Sequence, residues 1–217
     1  ALAAECSKGH EIVMLLAYSG LRWGEMAALR PRDVDLRRRR IHVARSASKV
    51  NSRTVITTPK TWELRSVAMP AEVAELLAPV VAAQRDPVGL LWSRPDGAPI
   101  RPPTTTHWFS KAVGRCITAS VPFDEGGNPG PATFPRVTAH QLRHTAASLM
   151  IASGAHVKTI QRQLGHKSAT MTLDNYGHLF DDDLDGVADR MGVGLRAAAD
   201  RCGQNVGTRP DLRVVGE

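Results

Sequence analysis

His140, Arg143 and His144 stand together in the string Ala-His-Gln-Leu-Arg-His-Thr at 139–145. At about 100° per residue, a helix over 138–153 puts these three on one side. Leu142, Ala146, Leu149 and Met150 fall on the other side, as a core-facing stripe. Thr138 is placed to cap the helix, whose N-terminal dipole favours negative charge. Imidazole and guanidinium groups gathered there suit an anion, and phosphate is the expected ligand. Two other readings compete. One is an amphipathic helix with a solvated polar face. The other is a metal site, because His140 and His144 have the i, i+4 spacing of an HExxH helix. That chemistry needs a glutamate beside the first histidine as general base, and Gln141 stands there instead.

Composition narrows the partners. The chain has 217 residues, 42% of them hydrophobic, enough for one large or two small domains. Its formal charge is +7 and its pI about 9.8, which suits a polyanion, nucleic acid first and an anionic membrane second. Arg30, Arg32, the arginines at 37–40, Arg45, Lys49, Arg53, Lys60 and Arg65 crowd one third of the chain. Acidic residues cluster late, at 181–183 and at Asp185. Cys6, Cys116 and Cys202 are odd in number and widely spaced, which argues for a reducing compartment and against a cysteine zinc site. No apolar run approaches membrane-spanning length. With no initiator methionine and no signal-peptide pattern, the chain reads as an excised domain or fragment.

The elements that must position these groups follow from periodicity and punctuation. Ile12, Leu15, Leu16 and Ser19 predict a helix over 8–19, which Gly20 breaks before a short helix at 24–29. The turn between them, Ser19-Gly20-Leu21-Arg22-Trp23-Gly24-Glu25, presents Arg22 at a fixed angle. Runs rich in β-branched residues at 41–44, 54–57 and 65–69 predict one antiparallel sheet of three strands, with Lys60 in the connection between the second and third. Helices are expected at 71–83 and 104–118, with irregular chain at 86–103 between them. Residues 120–135, dense in Pro and Gly, read as an exposed, mobile loop or lid. After Gly154 comes a helix at 157–164, closed by Gly165-His166, then a short helix through Thr172 and Leu173 to Tyr176. A last helix at 181–199 has Leu184, Val187, Met191 and Leu195 on its apolar side and an acidic first turn. A flexible tail is expected from Cys202.

Singly, Arg22, Lys60, His140, Arg143, His166 and Tyr176 are weak signals; an arginine at a helix junction or a lysine in a turn is ordinarily a surface residue. As an ordered set they resemble the tyrosine recombinases, the phage-integrase family. The resemblance is carried by SGLRWGE at 19–25, TPKT at 58–61, HQLRHT at 140–145, LGH at 164–166 and Tyr176 preceded by an asparagine. It implies an α+β fold, mainly α-helical with a small three-stranded antiparallel sheet, and DNA strand cleavage and rejoining. Arg22 and Arg143 would hold the scissile phosphate, and Tyr176 would attack it, forming a 3′-phosphotyrosyl bond and freeing a 5′-hydroxyl. Lys60 would protonate that leaving oxygen, His140 would act as acid–base partner of the tyrosine hydroxyl, and His166 would hydrogen-bond the phosphate. Glu25 would support the site from behind. Where the family often has a Ser- and Arg-rich stretch after the lysine, this chain has Trp62-Glu63-Leu64-Arg65, so Lys49 is the alternative to Lys60. The pattern gives His144 and His178 no catalytic role; they are expected as a structural and a surface residue.

Two arginines can neutralise a phosphodiester without a metal, and a phosphotyrosine conserves the energy of the broken bond. The chain shows neither a GxxxxGKS/T loop nor an Asp/Glu cluster near the motifs, so neither cofactor nor metal is expected. The implied partner is double-stranded DNA, bound as a tetramer by the full-length protein, with the isolated domain a monomer, no membrane partner, and a cytoplasmic location. The implied organisation is a catalytic domain at 1–180, a C-terminal helix at 181–201 and a tail at 202–217, with N-terminal core-binding and arm-binding domains absent from this chain. A catalytically silent DNA-binding module and a chromosome-dimer resolvase are the alternatives.

Overall fold

The computed structural model describes residues 1–6, 8–51, 53–57, 64–180 and 184–204. They divide into two units, Ala1–Leu179 and Phe180–Glu217. The first holds helices α1 (Leu2–Glu5), α2 (His10–Ser19), α3 (Trp23–Ala27), α4 (Ala71–Ala83), α5 (Trp108–Ala119), α6 (Ala139–Ala152), α7 (Val157–Leu164) and α8 (Ala169–Tyr176). Its strands are β1 (Val34–Asp35), β2 (Arg40–Val43), β3 (Ser46–Val50), β4 (Arg53–Thr57) and β5 (Arg65–Ala68). The second unit contributes α9 (Leu184–Gln204).

Helix α2 is the centre of the core. Leu15 and Leu16 are fully buried, and Ile12 and Val13 nearly so. Helix α6 packs against it through Ala146 and Ala147, whose small side chains let the helices approach closely. Gly20 ends α2 in the left-handed region at φ 72°. A Cβ at Gly20 would stand 2.6 Å from Leu164 Cδ2, so glycine is required there by both conformation and space. Thr138 caps α6 as its position foretold: its hydroxyl accepts the Gln141 N–H, and the Gln141 side chain accepts the Thr138 N–H.

Helix α6 departs from a simple two-faced pattern. Leu142 and Ala146 are buried, but Leu149 is 42% exposed and Ala147 takes its place in the core. Arg143, expected on the open side, is 3% exposed. The reason is that the polar side of α6 is covered by α7 and by the turn after α2, whose carbonyls bind the guanidinium.

The three-stranded antiparallel sheet has the order β1-β2-β5, with Val43 opposite Arg65 and Arg40 opposite Ala68. Residues 54–57 are not part of it. They lie in β4, which pairs with β3 in a separate two-stranded ladder, Ala47 opposite Ile56. The β-branched pattern identifies strands but carries no record of their partners. Helix α5 starts at Trp108 because the His107 ring caps it, accepting the Phe109 N–H. The 120–135 segment is largely exposed and closes on itself through a Phe123–Pro129 bridge and an Asp124 carboxylate that accepts from Asn128. Helix α9 runs through Cys202 to Gln204, past the point where a tail was expected, while the acidic 181–183 run lies outside the described residues. Among the described residues, no helix is long and apolar enough to cross a membrane.

Candidate active site

The site forms where the turn after α2, the start of β5, the inner face of α6, the end of α7 and the end of α8 converge. Arg22 caps α3 and is held from its own backbone. The Glu25 carboxylate accepts the Arg22 N–H at 2.9 Å and its Nη1 at 3.0 Å. The Arg22 side chain remains 46% exposed, so its guanidinium faces outward on a fixed mount. Glu25 itself is 2% exposed. Arg65, at the first position of β5, grips both its oxygens, Nη1 to Oε1 at 2.9 Å and Nη2 to Oε2 at 2.6 Å. Burial by itself pushes the Glu25 carboxyl up. The Arg65 hydrogen bonds and charge, with the Arg22 N–H and charge, outweigh it and hold the group below its ordinary value.

Arg143 ties the pocket together. Its Nη1 donates to the Gly20 carbonyl beside Arg22, and its Nη2 to the Leu164 carbonyl beside His166. The rest of the guanidinium stays available to an anion. Burial, then the charge of Arg22, lowers its pKa to about 10, so it stays charged at neutral pH. Gln163 stitches the same elements, donating to Ser19 and Ala68 carbonyls and accepting the Ala68 N–H. Gly165 ends α7 at φ 67°, and a Cβ there would lie 2.9 Å from Arg65 Cζ; its absence lets Arg65 pass to Glu25. Three guanidiniums thus surround one carboxylate, a surplus of positive charge that a phosphate can neutralise.

The imidazoles are arranged around Tyr176, which is 4% exposed. His166 lies parallel to the phenol ring, centroids 6.4 Å apart and planes 6° apart. Its Nδ1 is paired with the buried Thr172 hydroxyl at 2.9 Å, leaving Nε2 for a ligand. Burial, followed by the charges of Arg143, Arg22 and Arg65, lowers the His166 pKa to about 4, so the ring is neutral at pH 7. His140 is also held below its ordinary value, by burial first and then by His144 and Arg143. Burial raises the Tyr176 phenol above 10, against the pull of Arg143.

The tyrosine hydroxyl pairs with His144, its Oη 2.8 Å from Nδ1. His140, expected as its partner, sits one turn earlier, edge-on to His144 with ring centroids 5.1 Å apart. Helical phase puts both histidines on one side of α6, and only the docking of α8 decides which one reaches the phenol. Sequence reasoning also passed over Arg65, whose one signal was its place at the start of a strand following the Lys60 connection. The structure therefore gathers Arg22, Glu25, Arg143, His166 and Tyr176 in one cluster, with His140 beside His144. His178 is exposed, and Lys49 is exposed on β3. Lys60 lies outside the described residues. Among the described residues, no group of three or more His, Cys, Asp or Glu side chains could hold a metal ion.

Known proteins share this arrangement of elements. The ICEBs1 integrase of Bacillus subtilis (strain 168) is 29% identical over 179 residues, 80% of this chain and 45% of that protein. The Tn1549 transposon integrase, solved in complex with transposon right-end DNA, superposes with a TM-score of 0.66 at 24% identity, over 85% of this chain and 58% of that one. The catalytic domain of bacteriophage HP1 integrase gives a TM-score of 0.53 at 22% identity, over 87% of this chain and 88% of that one. These two likenesses show the fold: a tyrosine-recombinase catalytic domain, mostly helical with a small antiparallel sheet. The chain spans about half the length of the curated relatives it matches. The phage integrase family matches residues 4–183, and this chain belongs to it.

Proposed function

We propose that the chain is the catalytic domain of a site-specific recombinase that cuts and rejoins double-stranded DNA in the cytoplasm, as an integrase of a phage or other mobile element. The Tyr176 oxygen attacks the scissile phosphorus as the bond to the 5′-oxygen breaks. This leaves a 3′-phosphotyrosine and a free 5′-hydroxyl, whose return attack rejoins a strand without a nucleotide triphosphate. Arg22 and Arg143 neutralise the non-bridging oxygens, His166 donates to one of them through Nε2, and Lys60 protonates the 5′-oxygen. Glu25 acts through the arginines it holds. The observation that carries this reading is the placement of Tyr176 among Arg143, His144 and His166 in one pocket, its hydroxyl already bound by an imidazole.

The test is a nicked suicide substrate spanning the crossover region, defined by sequencing the junctions of the mobile element that carries the gene. The full-length protein is expected to form a covalent adduct in the presence of EDTA, and Tyr176→Phe none. No adduct from the full-length protein on its own site would favour a silent DNA-binding module, and strand cleavage without an adduct that is lost in EDTA would favour a metal-dependent hydrolase. Lys60→Ala is expected to slow cleavage of an ordinary 5′-oxygen about 10²-fold or more, and a 5′-thio leaving group far less. Equal slowing of the two would deny Lys60 the role of general acid.

A further inference from the structure

We propose that His144 is the proton acceptor for the Tyr176 hydroxyl during attack, a role that leaves His140 to the phosphate. The inference rests on the recombinase reading above and deepens it. The Tyr176 Oη makes its hydrogen bond to His144 Nδ1 at 2.8 Å, its only one among the described residues. Nδ1 in turn has no other partner among them, and in the tautomer that carries its hydrogen on Nε2 it accepts the phenol proton. The rings stand 5.5 Å apart, a face held from two elements, α6 and the end of α8.

The other candidates are placed for different work. His166 lies parallel to the phenol, its Nδ1 is already paired with Thr172, and the Tyr176 hydroxyl makes its hydrogen bond to His144 instead. His140 is exposed at the pocket edge, beyond His144 as seen from the tyrosine. An acceptor is needed because burial makes Tyr176 a weaker acid than a free phenol. The ionisable groups around His144 are Tyr176 from α8, His140 and Arg143 from α6, and His166 from the loop after α7.

The step balances within the site. The Tyr176 O–H bond breaks as Oη–P forms, and the proton goes to His144 Nδ1. The electron pair of the P–O5′ bond goes to the 5′-oxygen, which is protonated from the Lys60 side. In rejoining, the 5′-hydroxyl gives its proton back to the Lys60 amine as its oxygen attacks phosphorus, Oη leaves, and His144 returns the proton to Oη.

The experiment uses the full-length protein on the nicked substrate with a 5′-bridging sulfur, whose departure needs no proton, so the rate reads the nucleophile's side alone. His144→Ala is expected to form adduct about 10²-fold more slowly or worse and to regain rate with added imidazole. His144→Asn keeps a hydrogen-bonding group near Nδ1 but cannot take a proton, and is expected to stay slow at an unchanged melting temperature. Should His144→Ala fail to fold, His144→Asn carries the test. A near-native rate for His144→Asn, or a folded His144→Ala that imidazole does not rescue, overturns the role of His144 alone. Wild-type protein that forms no Tyr176-dependent adduct overturns the recombinase reading, and this inference with it.

Discussion

At the scale of single residues, the Glu25–Arg65 pair is the most exposed to test. Cutting a buried ion pair on one side typically costs about 3–5 kcal/mol, and both groups here are largely buried. Arg65→Ala is therefore expected to lower stability by up to that order in urea unfolding, because it leaves the buried Glu25 carboxylate with Arg22 alone. Arg65→Lys cannot chelate two oxygens at once, and is expected to fold yet form adduct more slowly as Arg22 loses its mount. An Arg65→Lys rate equal to wild type would show that the second arginine does not position the first. The histidines set the pH response. The His166 pKa falls from 6.5 to about 4 on folding, so its stabilising contribution is complete above 6.5 and is lost as pH falls toward 4. His140 and His107 are shifted the same way, and the contribution of Glu25 is complete above the ordinary carboxylate value and is lost only below it. Urea midpoints of the DNA-free protein should stay level from about pH 6.5 to about pH 8 and decline below that window. His166→Gln should flatten part of that decline; an unchanged slope would mean that the ring is not held neutral.

At the scale of elements, two glycines and one cap govern how the pocket closes. Gly20→Ala puts a Cβ 2.6 Å from Leu164 Cδ2 on a left-handed backbone, and the two penalties together come to about 2–4 kcal/mol. Because the Gly20 carbonyl also receives Arg143, adduct formation should fall by more than the lost stability explains. Unfolding and cleavage measured side by side test this, and a stable, fully active Gly20→Ala would refute it. Thr138→Ala removes the α6 cap and should cost about 1 kcal/mol, with little effect on the rate of cleavage, since Arg143 and His144 are held by contacts to other elements.

At the scale of the whole molecule, charge and the second unit set the expectations. With a net charge of +7, DNA binding by this chain should be weak and governed by phosphate contacts. Affinity for a short duplex is expected to fall at least about tenfold between ~50 and ~200 mM salt; a flat response in a fluorescence-anisotropy titration would contradict it. Helix α9 carries Val187, Met191 and Leu195 at helical spacing, each exposed, an apolar face that suits a neighbouring copy in the proposed DNA-bound tetramer. Deleting residues 183–217 from the full-length protein should leave single-site cleavage intact and abolish synapsis of two sites, read by native gel. Unchanged synapsis would exclude a role for α9 between copies.

The sequence by itself determined most of the helices and named the candidate residues that the fold then brings near one another. Arg22, His140, Arg143, His166 and Tyr176 stand in short strings whose local punctuation (Gly20, Thr138, Gly165) dictates where each helix stops or starts. Such signals act within a few residues and are readable without the fold. Tertiary structure alone decided three things: that 53–57 pairs with 46–50 rather than with β5, that Arg65 claims Glu25 from 40 positions away, and that His144 rather than His140 meets the phenol. Each depends on the docking of segments distant in the chain. Strand partners, ion-pair partners and the choice between two imidazoles one turn apart follow from the packing of whole elements, and no local pattern encodes them.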